Sequence, residues 1–321
     1  MKRWIIILFI LLAGGIFLMT DNQTTVEKVE ERYTHEGLLH AYPYKENSQY
    51  LSESIGLYME YLVKTDEKKA FAKQVDHLTQ SFVQNGHIQW LLDQDVTTNA
   101  IIDDARIIFS LKKAARDFRQ WKYDQLAENL IETLADTQQV DGYYVDYYDW
   151  REGEPAEQIT LSYITPALAE TLPNSEKTEL LLTELDGETV FFPETYQVVK
   201  NEYIEKAEIH MVDQLLIALN RERLNLSSPA FHQWLKERWN DGVLHGRYNR
   251  ETLEPTVSYE SLAVYALASL YFSETNQPDK AEEIIDYSQG LSKDLAVRDT
   301  HFFDFMYQQL AEYDVIRRNE S

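Results

Sequence analysis

Apolar residues recur with a helical period along most of the chain. Within residues 99–118, Ile107 and Leu111 fall on one stripe, and Lys112 lies off it, as in a helix with one buried face. Comparable amphipathic segments predict helices at Leu51–Thr65, Glu67–Val83, Trp121–Thr137, Leu161–Thr171, Ser175–Leu185, Tyr203–Arg221, Pro229–Trp239, Val257–Phe272, Asp279–Ser288 and His301–Asp314. Helices joined by polar turns predict an all-α chain of helical hairpins, and about eleven or twelve helices fit a closed ring.

Two segments interrupt the helical period. Asp141–Pro155 is dense in Tyr and acidic residues, and Thr189–Lys200 contains short β-branched and aromatic runs. The tetratricopeptide spacing of Trp, Gly, Tyr and Pro does not occur, so an open solenoid is disfavoured.

Composition excludes several classes of protein. The 321 residues carry a formal charge of −24, which repels phosphate backbones and excludes a nucleic-acid partner. A hydrophobic fraction of 44% excludes a disordered acidic polymer. The chain has no Cys, which excludes disulfides, thiolate zinc sites, cysteine nucleophiles and a lipid anchor on Cys. We expect no metal or cofactor.

The N-terminal segment has the pattern of an export signal. Lys2 and Arg3 precede an apolar run over Trp4–Met19, which is long for a signal peptide and short for a membrane span. We predict a signal peptide or transmembrane anchor over residues 1–20, a polar tether over 21–33 and a folded domain over 34–321. The positive flank stays inside, so the domain lies on the outer face of the membrane or is secreted.

Three acidic residues occupy positions that the helical period turns inward. Asp104 has apolar residues one turn before and after it, and so does Asp213. Glu53 opens the first long helix beside Ser52. An inward carboxylate is costly unless it is hydrogen-bonded or functional. Asp103, in contrast, is predicted to be a solvated or paired surface acid.

Five motifs in order resemble glycoside hydrolase family 8. Its first core helix opens with Ser-Glu-Gly-Gln-x-Tyr-Gly-Met, and its second motif is Ala-Ser-Asp-Ala-Asp before an apolar helix. Its later motifs are Ser-Tyr-Phe-x-Pro-Ala, Tyr-Asp-Ala-Ile-Arg and Tyr-x-Ser-Ser-Leu-Ala. The matching segments are Ser52–Met59, Ala100–Ile108, Ser162–Ala167, Met211–Leu216 and Ser258–Ala263.

This resemblance implies an inverting enzyme on an (α/α)6 barrel. Glu53 would be the general acid and Asp213 the general base, and Asp104 would stabilise the distorted sugar. The divergent, exported members imply a bacterial extracellular polysaccharide as substrate. We expect a monomer whose N-terminal helix contacts the membrane.

Aromatic side chains are expected to stack on sugar rings in the groove. The candidates are Trp90, Tyr143, Tyr147, Tyr148, Trp150, Tyr163 and Tyr259. For Tyr163, core packing is an equal expectation. His210 is expected to be a hydrogen-bonded core residue.

Departures from the family pattern keep two alternatives open. Ile55, Ile102 and Leu216 replace family residues that contact sugar. Such losses are typical of a non-catalytic, membrane-tethered glycan-binding protein. A polysaccharide lyase is the other alternative, in which Tyr203 and His210 would supply the reacting pair.

Overall fold

The predicted helical period corresponds to twelve α-helices in the part of the chain that the structure describes. That part comprises residues 23–45, 47–294 and 300–320 of a computed structural model. The helices are α1 (Thr25–Arg32), α2 (Ser52–Lys64), α3 (Lys68–His77), α4 (Ile101–Asp117), α5 (Trp121–Thr137), α6 (Pro166–Thr171), α7 (Glu176–Thr183), α8 (Met211–Arg223), α9 (Pro229–Asn240), α10 (Leu262–Glu274), α11 (Pro278–Asp294) and α12 (Phe302–Glu320). The all-α prediction is confirmed.

Every second helix belongs to an inner ring. Helix α2 packs on α4, α4 on α6, α8 on α10, α10 on α12, and α12 again on α2. The 3₁₀ turn Leu161–Tyr163, just before α6, packs on α8 and completes the ring. The other helices lie outside it; α3 packs on α2, α5 on α4, and α11 on α10 and α12. The architecture is an (α/α)6 barrel, as predicted.

Burial separates inner from outer helices. In α10 every residue from Leu262 to Ser269 is buried, because neighbours surround the helix on all sides. Helix α5 buries only one stripe, including Tyr123, Leu130 and Leu134. A helix surrounded in this way lacks the polar face that makes an outer helix easy to predict.

The prediction of a tether over residues 21–33 is wrong for most of its length. Helix α1 begins at a capping box and buries Val29 completely. Glu30 forms an ion pair with Lys73 of α3 at 2.8 Å, and a hydrogen bond joins α1 to α12. One apolar side chain and these contacts suffice to make α1 the sixth outer helix. The folded domain thus includes residues 25–33 of the predicted tether.

The predicted export segment over residues 1–20 lies outside the described residues. Within the described ranges, no helix combines the length and the apolar character that crossing a membrane requires.

Short antiparallel strands connect the helices. They are β1 (Thr34–His35), β2 (Leu38–Leu39), β3 (Val83–Gln84), β4 (His87–Ile88), β5 (Gln139–Val140), β6 (Tyr143–Tyr144), β7 (Tyr148–Asp149), β8 (Glu154–Pro155), β9 (Gln158–Thr160), β10 (Thr195–Gln197), β11 (Glu202–Ile204), β12 (Glu208–His210) and β13 (Arg247–Asn249). Strand β10 lies between β9 and β11, and β12 pairs with β13. Both segments predicted to interrupt the helices contain strands.

The helix predicted over Tyr203–Arg221 begins eight residues late. Tyr203 pairs with Tyr196 in the β10–β11 ladder, and Ile209 pairs with Tyr248 in the β12–β13 ladder. These cross-strand pairs hold the backbone extended up to His210, and α8 begins at Met211. Asp213 is therefore in the first turn of an inner helix.

Candidate active site

A cavity of about 340 Å³ opens at the end of the barrel where the inner helices begin. The first turns of α2, α4 and α8 each contribute an acidic residue to its wall. The lining residues are Leu51, Glu53, Trp90, Ala100, Ile102, Asp103, Arg106, Tyr163, His210, Val212, Asp213, Leu216, Phe303 and Tyr307. We call this the acidic cavity.

Like Asp103 in the same cavity, Glu53 has a raised pKa. Burial raises its pKa to about 8, and the negative charges of Asp103 and Asp304 act in the same direction. Arg106 opposes the shift without cancelling it. Glu53 therefore keeps its proton at neutral pH, which a general acid requires.

Asp103 lies beside Glu53 and is not the surface acid that was predicted. Its carboxyl is buried and lines the acidic cavity. It accepts a hydrogen bond from the Ser52 hydroxyl at 2.9 Å and pairs with Arg106 at 3.3 Å. Because α4 belongs to the inner ring, this side of the helix faces α2 rather than solvent.

Asp104 points elsewhere. It is buried, as predicted, but it is not among the residues that line the acidic cavity. The Asn99 amide donates to Asp104 and to Gln138 at the end of α5, and the Asn99 carbonyl accepts from the Tyr148 N–H. Asp104 thus belongs to a buried network that holds the loop before α4.

Asp213 faces the same cavity as Glu53 but has the opposite pKa shift. Burial acts to raise its pKa, but hydrogen bonds from His210 and Ser162 outweigh burial and hold the pKa below its ordinary value. Ser162 donates at 2.8 Å, and His210 Nδ1 lies 3.3 Å from the other carboxylate oxygen. Asp213 is therefore ionised at neutral pH, as a general base must be.

The predicted aromatic residues separate into three groups. Trp90 and Tyr163 line the acidic cavity. Tyr259 lines an adjoining cavity of about 310 Å³ that shares His210 and Phe303 with it. We call this second space the side cavity.

The remaining aromatics line neither space. Tyr148 and Trp150 both stack on the buried ring of His87, at centroid distances of 5.0 and 5.5 Å. Tyr143 packs against Tyr196. Tyr147 is exposed. His87 covers one face of each of these two rings, and the prediction that Tyr148 and Trp150 stack on sugar rings stays a prediction.

Several cavity residues escaped the sequence analysis. Arg106 is buried on an inner helix one turn after Asp103, a spacing that could have indicated an ion pair. Phe303 and Tyr307 come from α12, where no polar pattern marks them. The His210 side chain is 41% exposed, so the expectation of a core histidine is wrong.

The structure separates the pair that a lyase would need. Tyr203 donates its hydroxyl to the Leu181 carbonyl and to Glu184, and it does not line the cavity that contains His210. Within the described ranges, no three His, Asp or Glu residues are close enough to hold a metal ion.

Two sequence relatives decide the family. No family model matches the chain. The chain is 32% identical over 302 residues to "Putative lipoprotein YdaJ" of Bacillus subtilis (strain 168). The alignment covers 86% of this chain and 82% of the relative. The crystal structure of PssZ from Listeria monocytogenes superposes with a TM-score of 0.82 at 32% identity, over 91% of this chain and 95% of that one.

The chain belongs to the YdaJ and PssZ family. This family shares its barrel with glycoside hydrolase family 8, as the motifs had indicated. The endoglucanase Cel10 of Klebsiella pneumoniae, a family 8 glycosyl hydrolase, superposes with a TM-score of 0.66 at 13% identity. The superposition covers 91% of this chain and 98% of Cel10. At this identity the likeness establishes the fold.

Proposed function

We propose that this protein is an inverting glycoside hydrolase that acts on a bacterial extracellular polysaccharide. Glu53 is the general acid and Asp213 the general base. The observation that carries the proposal is one cavity whose two facing helices bear carboxyls with opposite pKa shifts. A pair of carboxyls whose environments separate their pKa values is the pattern of an acid and base working together.

The chemistry follows from these protonation states. Glu53 donates its proton to the glycosidic oxygen as the bond from that oxygen to the anomeric carbon breaks. Asp213 accepts a proton from a water molecule that attacks the opposite face of the same carbon. Inverting enzymes hold the two carboxyls roughly 6.5–9.5 Å apart to admit this water. His210 and Ser162 orient the Asp213 carboxylate for this task.

The third acid of the mechanism is Asp103 rather than Asp104. Asp103 lines the cavity and Asp104 does not. A carboxylate beside the reacting sugar stabilises the positive charge that develops in the transition state. Arg106 and Ser52 hold Asp103 in place.

The substrate class rests on the cavity walls and on the relatives. Trp90 and Tyr163 offer aromatic faces for sugar rings in the acidic cavity, and Tyr259 extends them into the side cavity. Cel10 is an endoglucanase, and YdaJ is named a lipoprotein, which fits a glycan-cleaving enzyme on the outer face of the membrane.

The test compares charge-removing variants at the two carboxyls. Glu53→Gln and Asp213→Asn should each lower the release of reducing ends from the cognate polysaccharide by roughly 10²–10⁴-fold. Exposed acids provide matched controls, Glu152→Gln and Asp279→Asn, which should keep normal turnover. NMR of the first product should show an inverted anomeric centre. Near-normal turnover in either active-site variant, or a retained anomer, would refute the proposal.

Folding of the Glu53 variant can be checked independently. The native pKa of Glu53 lies above its ordinary value, so its contribution to stability is present below pH 4.5 and is lost as the pH rises towards 8. Glu53→Gln removes this loss and should raise the free energy of unfolding at pH 9 by about 5 kcal/mol relative to wild type. Urea titration at pH 5 and pH 9 measures the difference.

The non-catalytic alternative makes a different prediction. Wild-type protein that binds glycan without turnover would indicate a glycan-binding protein rather than a hydrolase.

A further inference from the structure

A second cavity, of about 390 Å³, opens at the opposite end of the barrel. It shares Ile102, Arg106, Leu216 and Tyr307 with the acidic cavity, so these four side chains form the wall between the two. The residues that line it come mainly from the later turns of the inner helices. We call this the basic cavity.

The interior of the basic cavity is largely apolar. Its hydrophobic lining residues are Val63, Ile102, Phe109, Pro166, Ala167, Leu216, Leu219, Leu267, Leu270 and Leu310. The volume equals that of about thirteen water molecules at about 30 Å³ each. A methylene group is comparable in size to a water molecule, so an alkyl chain of about ten carbons fits.

The charges around this cavity are mostly positive in a strongly acidic protein. Five lining side chains are basic and two are acidic. Arg116 is exposed at the mouth and forms no ion pair with any described residue. Lys113 and Arg223 pair with acids outside the lining, at 2.9 and 3.2 Å. Such partly exposed pairs are worth about 0–1 kcal/mol, so these cations remain available to a ligand.

Two buried polar groups of the lining have no partner. The Ser110 hydroxyl and the Asn220 side-chain nitrogen are buried and make no hydrogen bond within the described chain. Buried polar groups are nearly always hydrogen-bonded, so these two groups mark the polar part of a lining that is otherwise apolar. They belong to α4 and α8, the helices that carry Asp103 and Asp213 on the other side of the wall.

We propose that the basic cavity binds a single-chain amphiphile with an anionic head group. The alkyl chain lies against the leucines, and the head group meets Lys113, Arg116 and Arg223 at the mouth. A free fatty acid and an anionic lysophospholipid, which has one acyl chain, share this chemistry. The binding site is separate from the proposed hydrolysis and can be tested without a glycan.

The test is calorimetric titration of the full chain with decanoate. Acetate supplies the head group alone, and decanol supplies the same chain with a neutral head that carries no sugar. We expect decanoate to bind at least tenfold more tightly than either. Lys113→Gln with Arg116→Gln should weaken decanoate binding at least tenfold. Lys69→Gln with Lys122→Gln, which removes two exposed charges elsewhere, should not weaken it.

A cavity-filling variant separates the interior from the surface. Leu270→Trp should abolish decanoate binding while leaving the thermal unfolding midpoint within a few degrees of wild type. Equal affinity for decanol, or unchanged decanoate affinity in both the Gln pair and Leu270→Trp, would overturn the proposal. Lysophosphatidylglycerol distinguishes the source, because it competes with decanoate only if the site accepts a single-chain phospholipid.

Discussion

The two ends of the barrel carry opposite charges for a common physical reason. Acids occupy the first turns of the inner helices, and bases occupy their later turns. The helix macrodipole favours this distribution at both ends. It does not, however, explain Glu53, since a helix N-terminus stabilises the charged form and Glu53 stays protonated. At the acidic end, burial and the neighbouring carboxylate of Asp103 raise the pKa of Glu53 more than the helix dipole lowers it. This raised pKa is the feature on which the proposed function depends.

A chain of alternating charges joins the two ends. Asp103 pairs with Arg106 at 3.3 Å, and Arg106 lies 3.8 Å from Glu60. Glu60 in turn lies 3.5 Å from Lys64, which pairs with Asp314 at 2.6 Å. Arg106 is the member shared by both cavities. Removing it is therefore the largest single disturbance that the comparison suggests.

Arg106→Met should destabilise the protein by about 3–5 kcal/mol, because it leaves the buried Asp103 without its cation. Urea unfolding at pH 7 measures the loss. The control is Lys113→Met, which removes the cation of an exposed pair and should cost less than about 1 kcal/mol. Equal losses of unfolding free energy in the two variants would show that Arg106 stabilises Asp103 no more than an exposed ion pair would.

Asp103→Asn should lower the pKa of Glu53 by about one unit, because it removes the nearest negative charge. NMR of the Glu53 carboxyl carbon across the pH range measures this directly, whether or not the variant is active. The alkaline limb of any residual activity should move to lower pH by the same amount. Asp104→Asn is the matched control, because Asp104 lies in the Asn99 network and does not contribute to the Glu53 shift. A larger shift in Asp104→Asn would reverse the assignment of the third acid.

The same comparison explains what the sequence could predict. Outer helices have one apolar stripe, and α5 was predicted with its observed bounds, Trp121–Thr137. Helix α4 buries both of its neighbouring acids, so the helical period placed only Asp104 inward although Asp103 is buried as well. Both are inward, but one faces α2 and the other faces the loop before α4. Only the packing of the ring decides which of them lines the cavity.

Motif order located Glu53 and Asp213 because each belongs to a local segment at the start of an inner helix. Arg106 and Tyr307 meet across the barrel from positions 201 residues apart, and no local pattern connects them. Helix α1 was missed because a single buried valine carries its packing. The sequence therefore predicted the architecture and singled out two carboxyls that line one cavity, and the structure was needed for the residues that surround them.

The smallest predicted effect concerns the base. Ser162→Ala removes one of the two hydrogen bonds that hold the pKa of Asp213 below its ordinary value, and His210 keeps the other. Because burial acts to raise this pKa, it should rise by less than about one unit in the variant. The acid limb of the kcat/KM profile then moves to higher pH, and the alkaline limb set by Glu53 stays in place. Ser288→Ala, at a buried hydroxyl on α11, is the control. A shift of the alkaline limb alone would mean that Ser162 acts on the acid, and the two carboxyls would have to exchange roles.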